Sequence, residues 1–155
     1  MPPLPSPYQN QARQYQRQAI ETASPEEILL MLYDGAIRFL VIARKAMDAN
    51  DLETVHKNLI KTQDILVEFM TSLDMDIGGE VAVNLFKLYE YLHHQLVQAN
   101  IKKDPARVDE VLEHLRKLKD TWEQAIDIAA REAREAGSSP GGAAGETSVA
   151  REFSA

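Results

Sequence analysis

The sequence predicts an all-α protein, an antiparallel up-down four-helix bundle, and three observations carry that expectation. Four long segments space their apolar residues with a helical period, and none alternates apolar with polar as a half-buried strand would. Pro25 and Pro105 each follow a residue of N-cap type, Ser24 and Asp104, and so fit the first helical position, where a missing N–H costs nothing. The connections between the segments are short, which makes consecutive helices antiparallel neighbours. At 155 residues the chain is long enough for one domain with a substantial core and short for two.

The elements follow in order. Residues 1–8 contain Pro2, Pro3, Pro5 and Pro7 and read as a flexible, extended arm. Residues 9–136 are expected to form the bundle domain, opening with a short helical or extended segment over about 9–21. The first long helix starts at Ser24-Pro25-Glu26-Glu27, a capping box in which Ser24 and Glu27 can each satisfy a free backbone donor, and runs to about Asp48. The second starts near Asp51 and sets Leu52, Val55, Leu59, Thr62, Leu66, Phe69 and Leu73 at alternating steps of three and four. Gly78 and Gly79 mark a turn. The third helix then runs from about Glu80 to Asn100 with Val81, Leu85, Leu88, Leu92 and Ala99 on one face. The fourth, from Pro105 to about Ala136, repeats Val108, Val111, Leu115, Leu118, Trp122, Ala125 and Ala129 in heptad spacing. Such stripes pack at the shallow crossing angle of a bundle. Residues 137–155, with Gly137, Gly141, Gly142 and Gly145 among Ser, Ala and Thr, read as a disordered tail.

Composition narrows the function classes. The 17 basic and 24 acidic residues leave a net charge of −7, which argues against a general nucleic-acid binder. The absence of cysteine excludes disulfides, thiolate metal sites and thiol catalysis. The best apolar run is interrupted by Asp34 and Arg38, so no membrane insertion is expected. With no basic-then-apolar leader at the start of the sequence, a cytoplasmic location is expected.

The first long helix is the informative one. Between Ile28 and Ala43 its only charged side chains are Asp34 and Arg38. Turning Ile28, Leu32, Ala36, Phe39 and Ala43 toward the bundle leaves a second apolar stripe of Leu30, Tyr33, Ile37 and Val41, flanked by Leu40. A bundle helix ordinarily buries one broad stripe and keeps the far side polar. Either the chain's own N-terminal segment covers the second stripe, with Tyr15 and Ile20 as its apolar contacts, or the stripe is a groove for a partner's amphipathic helix. A removable lid would satisfy both.

Catalytic and metal chemistry find little support. Two Glu-x-x-His pairs, Glu53 with His56 and Glu90 with His93, have the spacing used in di-metal carboxylate bundles. At the matching height, however, the first helix offers Ile42 and Ala43 in place of a carboxylate. His56, His93, His94 and His114 could in principle serve a phosphotransfer bundle, but only His56, beside Lys57, has a basic neighbour of the required kind. No phosphate-cradling glycine loop and no serine-nucleophile motif is present. No enzymatic activity, cofactor or metal is expected.

Several separate motifs, in order, resemble one family. Ala23-Ser24-Pro25-Glu26-Glu27, Leu30-Met31-Leu32-Tyr33-Asp34-Gly35-Ala36-Ile37 and Leu59-Ile60-Lys61-Thr62-Gln63 are similar to the flagellar secretion chaperone FliS family. So are Gly78-Gly79-Glu80, Asn84-Leu85, Leu88-Tyr89-Glu90-Tyr91-Leu92, Ala99-Asn100, and Asp120 with Trp122. The resemblance runs from about Tyr8 to Ala125 and leaves out the proline arm and the tail. It implies a cytosolic, non-enzymatic chaperone that binds the disordered C-terminal segment of flagellin, prevents premature polymerisation and delivers it to the flagellar type III export gate. It further implies that an N-terminal segment covers an apolar binding surface until flagellin displaces it. Tyr15 matches the family's N-terminal tyrosine in position, and Tyr8 follows a proline as an earlier family tyrosine often does. Set beside the residue pattern, this makes Tyr15 and Ile20 lid residues and Leu30, Tyr33, Ile37 and Val41 part of the covered surface. A generic helical interaction module and a di-metal carboxylate bundle are the alternative readings.

Overall fold

A computed structural model describes residues 22–138. Four helices follow one another: α1 (Pro25–Asp48), α2 (Leu52–Ser72), α3 (Met75–Lys102) and α4 (Pro105–Ser138). Among the described residues there is no strand. Each helix packs on its two neighbours around a closed ring, α1 on α2, α2 on α3, α3 on α4 and α4 on α1. Side-chain pairs fix the directions. Arg44 near the end of α1 meets Asp109 near the start of α4 at 3.0 Å, whereas the earlier Asp34 meets the later Lys119 at 2.5 Å. Likewise His56, early in α2, bonds Asn100 late in α3, and Phe69 farther along α2 lies 5.2 Å from the ring of the earlier Tyr89. Both pairs of helices are therefore antiparallel, as the short connections require.

The helix starts come from local chemistry. Ser24 Oγ accepts from the Glu27 amide at 3.2 Å, which is the serine half of the expected capping box. Asp51 accepts from the Thr54 amide, Asp74 from the Asp76 and Ile77 amides, and Asp104 from the Ala106 amide. Each carboxylate satisfies a free donor and places negative charge at the positive end of a helix dipole. The chain reverses through Asn50 and Lys103, both in the left-handed region with φ of 54° and 50°.

The core fills the space between the four helices. Tyr33, Leu40, Leu59, Leu66, Phe69, Leu92, Leu96 and Leu115 are its largest buried side chains, together with Tyr89. Buried polar groups are satisfied locally: Thr62 Oγ1 donates to the Asn58 carbonyl at 2.9 Å, and Asn58 Nδ2 donates to the Thr54 carbonyl at 2.8 Å. Gln95 instead ties α3 to α4, donating to Glu110 at 2.7 Å and accepting from Arg107 at 2.6 Å.

The structure corrects several details of the expected elements. Helix α3 starts at Met75, not near Glu80, because Asp74 caps a first turn that the glycine pair concealed. The pair is a break within that helix: Gly79 holds φ 54° and ψ −130°, a conformation open in practice only to glycine. The inward stripe of α3 runs through Ala82, Tyr89, Leu92, Leu96 and Ala99, so Val81, expected inside, is 53 % exposed. Leu52, placed on the α2 stripe, is exposed at that helix's first turn. Finally, α4 runs to Ser138, two residues past its expected end.

Candidate partner-binding surface

Helix α1 presents three arcs, and their order follows from about 100° of rotation per residue. The inward arc is Tyr33, Ala36, Leu40 and Ala43, all fully buried. The second, beside α4, carries Leu30, Asp34, Ile37 and Val41 at the spacing of a single face. Leu30, Ile37 and Val41 are half-buried there, with Ile37 and Val41 packed on the edge of the core. The third arc points to solvent and toward α2.

This placement corrects the expected face of Tyr33. The spacing puts Tyr33 on the outer stripe, whereas in the structure it belongs to the core. Ala36 and Ala43 belong to both possible inward stripes, and as small residues they do not decide which way the helix turns. The aromatic ring decides it. Tyr33 stacks on Phe69 with ring centres 4.5 Å apart and interplanar angle 24°. Its hydroxyl lies 2.6 Å from the Tyr89 hydroxyl and accepts from Trp122 Nε1 at 3.1 Å. Three helices, α1, α3 and α4, thus meet at one buried hydroxyl pair, with α2 supplying the ring beneath. Burial pushes both tyrosine hydroxyls above their usual range, so they remain neutral hydrogen-bonding groups. Sequence reasoning placed Tyr89 in a family motif and gave it no structural role. The available signal was a second tyrosine one position past a Leu88 stripe.

Leu30, Ile37 and Val41 are therefore brought together on one face, and Tyr33 lies beneath them, not among them. Tyr15 and Ile20 lie outside the described residues, as do the arm at 1–8 and residues 139–155. Around Ile37 the groove between α1 and α4 is lined by Asp34, Arg116, Lys119, Asp120 and Glu123. Lys119 Nζ bridges Asp34 at 2.5 Å and Glu123 at 3.3 Å, and the Asp34 carboxylate holds its ammonium above the usual lysine range. Farther down the same groove Arg44 binds both Asp48 (2.6 Å) and Asp109 (3.0 Å). The surface thus has an apolar strip along α1 and a charged bank along α4. Such a strip suits a partner helix that buries its own apolar stripe and leaves polar groups at the margin.

The first Glu-x-x-His pair is otherwise engaged. Glu53 pairs with Lys57 at 3.4 Å, and His56 Nδ1 lies 2.8 Å from Asn100 Nδ2. Among the described residues no three His, Cys, Asp or Glu side chains are grouped to hold a metal ion, and no helix is long and apolar enough to cross a membrane.

Comparison with known proteins agrees in direction. The family model described as "Flagellar protein FliS" matches residues 8–129. A protein of Bacillus subtilis (strain 168) named flagellar secretion chaperone FliS is 38 % identical over 118 residues, covering 76 % of this chain and 87 % of that protein. Proteins of the same name are similar at 37 % identity in Vibrio cholerae (68 % of this chain, 77 % of theirs) and at 36 % in Salmonella typhimurium (68 % and 79 %).

Proposed function

The chain belongs to the FliS family of flagellar secretion chaperones, and from that premise we propose that it is the cytosolic chaperone of flagellin's disordered C-terminal segment. The observation that carries the reading is the half-buried strip Leu30, Ile37 and Val41 on α1, lying outside the core of a bundle whose relatives are export chaperones. On this reading the strip accepts flagellin, keeps it from polymerising and delivers it to the flagellar type III export gate. The protein performs no chemistry of its own. Tyr15 and Ile20 form a lid that occupies the strip in the free protein. Tyr33 serves the site from below, by fixing the rotation of α1 against α3 and α4.

The mechanism is an exchange of apolar surfaces. A short internal segment gives way to a longer partner that buries more area. At about 25 cal/mol per Å², a few hundred additional Å² supplies gross driving force before the cost of ordering the partner is subtracted. Because flagellin's tail folds as it binds, much of that force is spent on ordering, which keeps the complex tight yet releasable.

Titration calorimetry with the C-terminal segment of the same organism's flagellin tests this. One-to-one binding with a strongly negative heat-capacity change is expected, and tighter binding by a chain lacking residues 1–20. Ile37→Asp should abolish binding and leave the circular dichroism of the helices unchanged. Binding that survives Ile37→Asp would move the site off this strip, and α2–α3 would be the next surface to test.

A further inference from the structure

The third arc of α1 has a character of its own. Met31 and Ile42 are 41 % and 39 % exposed. Their separation of eleven residues, three helical turns, puts them on one side of the helix with Arg38 and Lys45 close beside them. Phe39, expected in the bundle, is half-buried at the rim facing α2. Its ring carries the Arg38 guanidinium 5.7 Å from its centre and the Lys61 ammonium, from α2, at 5.2 Å.

These cations are not committed elsewhere. Arg44, Lys57, Lys117 and Lys119 all sit against carboxylates. Among the described residues Arg38, Lys45 and Lys61 have no carboxylate within ion-pair distance. On a chain of net charge −7 these three cations stand free of ion pairs beside the exposed apolar side chains, with Asp64 and Glu68 farther along α2 marking the acidic end of the face. The α1–α4 groove, by contrast, carries both signs along its bank.

We propose that the α1–α2 face centred on Arg38, Phe39, Ile42, Lys45 and Lys61 docks an amphipathic helix of a partner protein whose apolar stripe is bordered by aspartate and glutamate. Ile42 and the Phe39 rim receive the apolar stripe. Arg38 and Lys45 on α1, with Lys61 across on α2, receive carboxylates from both margins, so charge selects the partner and fixes its register. An anionic bilayer is the poorer occupant, because the net negative charge of the whole chain is repelled by it. The face goes beyond the flagellin reading and leaves the Leu30–Ile37–Val41 strip free, so both surfaces can be occupied together.

The probe is a fluorescein-labelled helical peptide of about 18 residues with leucine at i, i+3, i+4 and i+7 and glutamate at its margins, beside a twin with lysine in place of glutamate. Fluorescence anisotropy with the full chain should show binding of the glutamate peptide only, weakening as salt rises from about 50 to about 300 mM. Arg38→Glu with Lys61→Glu should weaken it at least about tenfold. Both positions are exposed, and unchanged circular dichroism checks that the bundle is intact. Ile37→Asp should leave peptide binding unaltered, and the charge reversal should leave flagellin-tail binding unaltered, so the two readings stand or fall separately. The proposal is overturned by no binding, by equal binding of the lysine twin, or by binding that survives charge reversal. Capture by vesicles of phosphatidylcholine with phosphatidylserine in the absence of peptide binding would overturn it in favour of a membrane.

Discussion

Tyr33 shows how one side chain sets the rotation of a helix. Its ring is stacked on Phe69, and its hydroxyl is shared with Tyr89 and Trp122, so turning α1 by one residue would pull that hydroxyl away from both partners. Leaving a buried donor without its acceptor costs about 1–3 kcal/mol, more than the hydrogen bond itself contributes net. Tyr33→Phe is therefore expected to lower stability by about 1–2 kcal/mol in urea denaturation. Tyr33→Phe with Tyr89→Phe should cost less than the sum of the two single changes, because the double change removes both hydroxyls of one network. Additive losses would mean that the hydroxyls act independently. The sequence could not disclose this pair, since a tyrosine counts equally well as the edge of a stripe or as its centre. Only the meeting of Tyr33 with Tyr89, 56 residues away, settles its side.

At the scale of the element, what was legible follows from local chemistry. Helix ends were readable wherever a cap residue preceded a proline or an apolar run, and α1 and α2 lie within a residue or so of their expected bounds. The start of α3 was not, because a glycine pair reads as a turn whether it joins two helices or interrupts one. Gly35 raises a related question on α1. A Cβ added there would lie 3.8 Å from Ile65 Cδ1, ordinary van der Waals contact, so the approach of α2 does not require glycine. Gly35→Ala is expected to stabilise the protein by about 1 kcal/mol through helix propensity, read as a higher denaturation midpoint. A loss of stability would reveal a tighter neighbour at that position. Flagellin-tail affinity measured on the same variant shows whether the glycine serves binding instead.

For the whole molecule, polar pairs across the helix seams add a dependence on pH. Glu110 of α4 accepts from the Tyr91 hydroxyl at 2.5 Å and from Gln95 at 2.7 Å, both on α3, and these bonds hold its carboxyl below the ordinary value of 4.5. A carboxyl with a depressed folded value contributes stability that is present above 4.5 and is lost as the pH falls through the folded value. Stability should therefore decline on acidification below that point, and Glu110→Gln should flatten the decline in a series of urea melts. An identical slope in the variant would assign acid sensitivity to other carboxylates. The bundle as a whole, its order of helices and its antiparallel course, was legible because four amphipathic stripes joined by short turns leave few other arrangements. The candidate strip was legible in part, as excess apolar surface on α1, whereas its exact membership depended on a rotation that spacing alone leaves open.

The single tryptophan of the chain is Trp122, and its indole N–H is bonded to the Tyr33 hydroxyl at the seam of α1 and α4. The molecule therefore carries one tryptophan fluorophore, tied through Tyr33 to the underside of the α1 strip. Any event that shifts α1 against α4 changes the polarity and hydrogen bonding around that indole, and with them the colour of its emission. Docking and release of an unlabelled partner can accordingly be followed in real time from the protein's own light.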